Sequence, residues 1–197
     1  MQTLPAVIGN RGMARIFSKS LPKYFTSDEA RIILSDHLKQ QDYDCYFLSL
    51  FLWNTGTRIS EALSVTVADI DLIGKALRVT TLKRKGHIRV LPLQNGFIGE
   101  VALWINVMGL KRGDFLFRMS RKTAYNYVKY ACNLSGISDE RAHPHTWRHT
   151  FAVNCILQNV PVTVLREWLG HRDITKTLIY TQIFAQDTKV FMDGVRF

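Results

Sequence analysis

The chain carries the segment HPHTWRHT at residues 143–150, and this stretch sets the interpretation of the sequence around it. Pro144 suits the first turn of a helix, because its backbone angle is already helical and its missing N–H is not needed there. His145 and Arg148 then share one face of that helix, since residues three apart are neighbours on a helix surface. Trp147 is expected to turn into the core. The pattern predicts a buried helix that presents an imidazole beside a guanidinium.

Three further residues, elsewhere in the chain, carry side chains that, like those of His145 and Arg148, suit the chemistry of a phosphodiester. A glycine fitted to a left-handed helix end stands before His171 in the segment LGH, and Tyr180 follows nine residues later. Upstream, the segment NTGTRISEAL at residues 54–63 puts Arg58 at a helix start, where backbone amides favour an anion. Glu61, one turn along, is its predicted orienting partner. Taken singly, these residues are more often a solvated arginine, an ordinary helix end and a structural tyrosine.

The order Arg, Lys, His-x-x-Arg, His, Tyr resembles that of the tyrosine recombinase (phage integrase) family, and the resemblance covers residues 24–185. It implies the catalytic domain of a DNA breaking-rejoining enzyme, mainly α with a small antiparallel β-sheet (α+β). It also implies a site-specific recombinase that cleaves and rejoins DNA through a covalent 3′-phosphotyrosyl intermediate, with no metal and no cofactor. The catalytic residues that the resemblance implies are Arg58, Lys83, His145, Arg148, His171 and Tyr180.

The resemblance also implies a role in phosphoryl transfer for each of these residues. Tyr180 is expected to attack phosphorus in line, while Arg58 and Arg148 are expected to hold the two non-bridging oxygens as charge builds. His145 is expected to assist removal of the Tyr180 proton, and Lys83 to protonate the departing 5′-oxygen. The remaining histidine hydrogen-bonds the phosphate.

The lysine of this series lies in a predicted β-hairpin whose tip is KRKG. Counting from the first strand places the family's general acid at Lys83. Counting back from the end of the second strand points instead near Arg84 or Lys85. Lys83 is therefore the predicted general acid, and Lys85 is its rival.

Other residues are expected to support the site or to contact DNA. Glu61 and His149 are predicted supporting residues, the histidine from within the core. Arg84, Lys85 and Arg89 are predicted to contact DNA, since cations on an exposed hairpin meet phosphates without reading sequence.

Composition agrees with a nucleic-acid partner. The 197 residues carry a formal net charge of +10, with a pI of about 9.7, and cations set against phosphates release condensed counterions. Together with the resemblance, this charge predicts double-stranded DNA as the partner.

The three cysteines, Cys45, Cys132 and Cys155, include no Cys-x-x-Cys and predict neither a disulfide framework nor a zinc site. No bilayer-length apolar run or signal peptide is present. A cytoplasmic, DNA-associated protein without membrane contact is expected.

The chain is predicted to have three parts. Residues 1–23 lack periodicity and are predicted to form a flexible arm. Residues 24–181 form the catalytic domain. The apolar tail, residues 182–197, either packs on a neighbouring protomer, as in the family's tetramer on two DNA sites, or folds back on its own domain.

Within the domain, hydrophobic periodicity predicts a series of helices and two strands. A first helix is capped by the Thr-x-x-Glu spacing of Thr26 and Glu29. It is predicted to continue as far as Leu38, with Ala30, Ile32, Ile33 and Leu38 on one inward face. Further helices are predicted at about 42–54, 59–67, 97–109, 120–135, 145–158, 161–169 and 173–181, and strands at 76–82 and 87–93.

The arm bears on which kind of family member this is. Most members carry an N-terminal DNA-clamping domain of about a hundred residues, and the arm is too short to fold into one. The resemblance therefore implies a short member similar in size to the fimbrial-switch inversion recombinases, a fragment, or a specialised relative. Two other classes stay open: a type IB topoisomerase-like enzyme that relaxes DNA, and a binding-only DNA regulator on the same fold.

Overall fold

Helices and one small sheet make up the part of the chain that the computed structural model describes, residues 22–81 and 86–184. The helices are α1 (Ser27–Ile33), α2 (Asp36–Gln41), α3 (Tyr43–Thr55), α4 (Ile59–Ala62), α5 (Asn95–Val107), α6 (Arg121–Leu134), α7 (Pro144–Leu157), α8 (Val162–Leu169) and α9 (Thr175–Leu178). The strands are β1 (Ile70–Asp71), β2 (Ala76–Thr81) and β3 (His87–Pro92), and two 3₁₀ helices span Val67–Asp69 and Ile179–Phe184. The predicted fold class, mainly α with a small antiparallel sheet, is confirmed.

The first helix is shorter than its pattern predicts. Its capping box is present, since the Glu29 backbone N–H donates to the Thr26 hydroxyl and the Thr26 N–H donates to the Glu29 carboxylate. The helix ends at Ile33, however, and α2 begins afresh after Ser35. Ile32 is 58% exposed, so its predicted inward position is wrong. The break rotates the chain before Leu38, and Leu38 reaches the core from a separate helix.

The core is built around α3, whose buried residues lie on all its sides. This helix packs against α6 and α7. The Phe47 ring stacks on Trp104 with 4.3 Å between ring centroids, and Phe51 meets Phe117 edge to face at 5.3 Å. Each large side chain buried in this way contributes on the order of 1.5–3 kcal/mol to folding. Because α3 is packed on all its sides, its C-terminal end, next to Arg58, has a fixed position in the fold.

The sheet has the strand order β1-β2-β3, with both pairings antiparallel. The two predicted strands are present, and β1 is an addition that the sequence did not indicate. In the β2–β3 register Ala76 lies opposite Pro92, and Thr81 lies opposite His87. Pro92 ends an edge strand, as predicted, where its missing N–H costs no ladder bond.

The predicted arm and tail lie almost wholly beyond the described residues. Residues 1–21 and 185–197 are outside them, so the proposed division of the chain stays a prediction. Of the helices within 22–81 and 86–184, none combines the length and the apolar character that crossing a bilayer requires.

Candidate active site

Arg58 stands at the start of α4 and is held there by Glu61. The Arg58 backbone N–H donates to Glu61 Oε2 at 2.9 Å, and its Nη1 donates to Oε1 at 2.8 Å. The Arg58 side chain keeps 26% of its surface exposed, whereas that of Glu61 keeps 2%. The predicted pairing is therefore present, and it directs a partly accessible guanidinium from a buried anchor.

Arg148 lies in α7 with only 3% of its surface exposed. Its Nη1 donates to the carbonyl of Gly56 at 2.8 Å, and its Nη2 donates to the carbonyl of Leu169 at 2.6 Å. These carbonyls lie at the C-terminal ends of α3 and α8. Arg148 thus joins the two helix ends that precede Arg58 and His171, and it brings the three sequence-predicted groups into one site.

Gly56 makes this approach of α3 and α7 possible. Its φ of 57° lies in the left-handed region, and a Cβ built there would lie 2.3 Å from Cδ1 of Phe151. Any other residue at this position is both strained and in collision with α7. The threonines on each side point inward, and their hydroxyls lie 2.9 Å apart.

His171 follows the left-handed Gly170 that ends α8, as its sequence predicts. Its Nδ1 lies 2.9 Å from the hydroxyl of the buried Thr177 on α9. Burial, followed by the charges of Arg148 and Arg58, lowers the pKa of His171 to about 3. The ring is therefore neutral near pH 7, and Thr177 fixes its orientation.

Tyr180 is buried in the 3₁₀ helix Ile179–Phe184, with 3% of its surface exposed. Its hydroxyl lies 2.8 Å from Nδ1 of His149. Burial raises the pKa of Tyr180, and the charges of Arg148 and Arg58 act in the opposite direction. Both arginines therefore act on this phenol electrostatically. The sequence placed Tyr180 near a helix end but did not identify its contact with His149.

His145 lies at the start of α7, on the side of the helix that is open to solvent. The His143 ring stacks on it at 5.5 Å, and the His149 ring lies 6.5 Å away on its other side. Partial desolvation, then the charges of His143 and Arg148, lower the pKa of His145. A neutral imidazole in this place has a ring nitrogen able to accept a proton.

The position of Arg89 corrects its predicted role. It lies on the inward face of β3 and is 6% exposed, so it is not on the surface that a direct DNA contact requires. Its Nη2 donates to Glu61 Oε2 at 2.9 Å instead. The sequence holds one signal of this: Arg89 alternates with the buried Leu91, while Ile88 and Val90 face outward.

The predicted general acid Lys83, its rival Lys85 and the predicted DNA contact Arg84 lie outside the described residues. What is described is the base of their hairpin. Thr81, the last described residue of β2, is buried, and its hydroxyl accepts a hydrogen bond from Arg89 at 3.1 Å. The hairpin is therefore tied to the same site at its base.

Within the described ranges, Glu61 is shared by three arginines. It bonds Arg58 and Arg89, and Arg148 Nη1 lies 4.0 Å from its Oε2. Although burial alone raises the pKa of Glu61, contacts with Arg89 and Arg58 lower it to about 2. Three positive charges and one negative charge leave the cluster at +2 near pH 7. Such a cluster attracts an anion carrying oxygen acceptors, and a phosphodiester has two non-bridging oxygens of this kind.

Two half-buried histidines, His149 and His171, predict how stability depends on pH. Burial and neighbouring charges lower the pKa of His149 to about 4 and that of His171 to about 3, from 6.5. At pH values below 6.5 but above these lowered pKa values, the unfolded chain binds protons that the folded chain does not. The contribution of these two rings to the free energy of unfolding is therefore fully present above pH 6.5 and is lost as the pH is lowered from 6.5 toward 3.

This expectation is checked by thermal unfolding across that pH interval. A His149→Asn/His171→Asn variant is expected to lose less of its melting temperature on acidification than the unmodified protein. His37→Asn, at an exposed position of α2, is the matched control. Equal acid sensitivity of the double variant and the unmodified protein would show that these rings are not the groups that titrate.

Known proteins are similar to this chain in sequence. The profile of the phage integrase family matches residues 23–187. A tyrosine recombinase of Pseudothermotoga lettingae is 28% identical over 173 residues, which are 86% of this chain and 59% of that protein. The chain spans roughly half to three fifths of the length of the first curated relatives it matches.

Solved structures show the same fold. The crystal structure of XerA recombinase superposes with a TM-score of 0.75 at 22% identity, covering 91% of this chain and 68% of that chain. The XerH site-specific recombinase, solved bound to its difH substrate as a pre-cleavage complex, gives a TM-score of 0.69 at 20% identity. That match covers 86% of this chain and 55% of that chain.

Proposed function

Because this chain belongs to the phage integrase family, we propose that it is a tyrosine-type site-specific recombinase, which cleaves and rejoins double-stranded DNA through a covalent 3′-phosphotyrosyl intermediate. One observation carries the proposal. Arg148 joins the helix ends next to Arg58 and His171, and Tyr180 lies close enough for both arginines to influence its pKa. Four residues of the family's series, Arg58, Arg148, His171 and Tyr180, thus lie near one another in the part of the chain that is described, and this supports the proposal.

In the proposed reaction the Tyr180 oxygen attacks phosphorus and the bond to the 5′-oxygen breaks. Arg58 and Arg148 bind the two non-bridging oxygens, and their charge stabilises the negative charge that develops on them. A guanidinium has more N–H donors than the two that Arg148 gives to carbonyls, so donors remain for the phosphate. His171 donates a hydrogen bond to the phosphate from its second ring nitrogen.

Two proton transfers complete the step. The Tyr180 hydroxyl is hydrogen-bonded to His149 Nδ1 in the present conformation, and the buried Tyr180 moves out of that contact to reach the phosphate. The exposed His145 then accepts the proton, and Lys83 supplies one to the departing 5′-oxygen. Arginine charges carry out the electrostatic task that a metal ion has in other phosphoryl transfers.

The proposed partner is double-stranded DNA, and we propose a tetramer on two DNA sites as the active assembly. The net charge of +10 supports the first, together with the likeness to the XerH protein solved on its DNA substrate. The apolar composition of residues 182–197 supports the second, because such a tail needs a surface to cover it. We place the activity in the cytoplasm, where the DNA is.

A covalent-adduct assay tests the proposal. The protein is incubated with a nicked suicide substrate bearing the sequence at which its genetic element recombines, and a denaturing gel separates protein bound covalently to the 3′ strand. Plasmids with paired sites then distinguish the outcomes: recombinant products support a recombinase, relaxed circles alone support topoisomerase-like activity, and binding without any adduct supports a regulator.

The general acid is identified by a change in the leaving group. Lys83→Ala is expected to slow cleavage of ordinary DNA but not of a strand with sulfur at the bridging 5′ position, since a thiolate leaves without protonation. Lys85→Ala is the matched variant from the same hairpin tip, and it is expected to reduce the salt dependence of binding. Rescue of Lys85→Ala by sulfur, with none for Lys83→Ala, would transfer the role to Lys85.

A further inference from the structure

Arg89 is the most extensively bonded of the buried cations described, and the reaction outlined above does not use it. Its Nε donates to the Trp168 carbonyl at 2.7 Å, its Nη1 to the Thr81 hydroxyl at 3.1 Å, and its Nη2 to Glu61 at 2.9 Å. A second contact from Nη1 to Glu61 Oε1 measures 3.4 Å. Burying a guanidinium is costly unless its charge is paired and its donors are satisfied. The chain meets this cost by pairing Arg89 with Glu61 and by giving the Nε, Nη1 and Nη2 groups acceptors.

The contacts of Arg89 join it to the elements that hold the active-site residues. Thr81 precedes the hairpin tip, and Trp168 precedes the Leu169 carbonyl that receives Arg148. Gly170 leaves space for this arrangement, because a Cβ on it would lie 3.1 Å from Arg89 Nη1. Arg89 therefore lies beneath the site, between the hairpin, α4 and the end of α8.

The charge balance gives Arg89 a more specific effect than packing. Glu61 is buried and its pKa is low, so it is negative at all working pH values. Without Arg89 its charge falls on Arg58 and Arg148 alone, and the cluster drops from +2 to +1, since two positive charges then face one negative charge. Glu61 would also bind both arginines more strongly, in competition with a phosphate. Glu61, which orients Arg58, would then reduce the positive charge that Arg58 and Arg148 offer to a phosphate.

We propose that Arg89 is a positioning residue that offsets the charge of Glu61, so that Glu61 orients Arg58 while Arg58 and Arg148 keep their charge for the scissile phosphate. This inference rests on the proposed function. It assigns Arg89 no contact with DNA. Its effect is therefore expected on the rate of cleavage and not on the affinity for DNA.

Two substitutions separate charge from geometry. Arg89→Lys keeps the positive charge but cannot make all the hydrogen bonds to Trp168, Thr81 and Glu61 at once. Arg89→Gln keeps hydrogen-bond donors and removes the charge. The proposal expects Arg89→Lys to cleave the suicide substrate within a few fold of the unmodified protein, and Arg89→Gln to be slower by on the order of tenfold or more. DNA affinity and its salt dependence are expected to stay unchanged in both.

A double variant completes the test. Glu61→Gln/Arg89→Gln removes both buried charges and restores a cluster of +2. It is expected to cleave on the order of tenfold faster than Arg89→Gln alone, because residues in contact are coupled. Arg78→Gln, an exposed arginine on the neighbouring strand β2, is the matched control and is expected to cleave normally. Melting temperatures of all variants establish that each is folded.

The outcomes are distinguishable from failure of the proposed function, which would show as an absence of adduct with the unmodified protein. Given an adduct, cleavage by Arg89→Lys no faster than by Arg89→Gln would overturn the charge argument in favour of a purely geometric role. So would a double variant no faster than Arg89→Gln. A reduced salt dependence of binding in Arg89→Gln would restore the direct DNA contact that the sequence suggested.

Discussion

A Tyr180→Phe variant is expected to bind DNA as tightly as the unmodified protein and to form no covalent adduct with it. The substitution removes one hydroxyl, which is the nucleophile in the proposed reaction and has no substitute on a phenylalanine ring. The structure indicates a small cost in stability. The aromatic ring stays buried, and the lost hydrogen bond to His149 is worth about 1 kcal/mol.

The measurement is trapping on the nicked suicide substrate, with binding followed separately by gel shift. Tyr130→Phe is the matched control, because the Tyr130 hydroxyl also makes a side-chain hydrogen bond, to Gln41, on the exposed side of α6. That variant is expected to form adducts normally. Continued trapping of Tyr180→Phe would remove Tyr180 as the nucleophile and would direct the search to another hydroxyl.

The parts of the fold that local signals determine could be predicted from the sequence. The capping box at Thr26, the proline at the start of α7 and the glycine that ends α8 each act through neighbouring residues. The bounds of α7 and α8 lie within two residues of the predicted ones, and α1 begins at its predicted cap although it ends early. The inward position of Trp147 is confirmed as well, since it is fully buried and meets Phe25 edge to face.

Features that depend on distant residues could not be predicted in this way. Strand β1 is two residues long and exists because Ile70 pairs with Leu77 across a turn. The predicted final helix continues as a 3₁₀ helix, and Tyr180 within it packs in a buried cluster that includes Val153, Leu165 and Leu169.

The candidate site, too, could be predicted only where its residues are close together in the sequence or follow the order of a known family. The order of its residues indicated a family, and the spacing of His145 and Arg148 indicated a shared helix face. Which carboxylate would serve which arginine was visible only for Glu61 and Arg58, three residues apart on one helix. Arg89 is distant in sequence from Glu61, so its pairing became apparent only once β3 was placed against α4.

Arg148→Ala is expected to slow cleavage by a factor on the order of hundreds, as expected for loss of one donor that stabilises charge in a transition state. DNA binding should weaken much less, because affinity comes from many surface cations. The variant should also be less stable. It leaves the buried carbonyls of Gly56 and Leu169 without their donor, at a cost of about 1–3 kcal/mol for each group left unpaired.

Because lost stability alone can mimic lost activity, the cleavage rate is to be measured well below the melting temperature of each variant. Arg148→Lys retains a cation but cannot bridge both carbonyls in the planar arrangement of a guanidinium, so it is expected to fold better than Arg148→Ala and still to cleave slowly. Arg118→Ala, which removes an exposed ion pair with Asp114, is the control and should alter neither property appreciably. A folded Arg148→Ala protein with an unchanged cleavage rate would leave Arg148 a structural bridge between α3 and α8, and the phosphate would have to be held by Arg58 and the histidines without it.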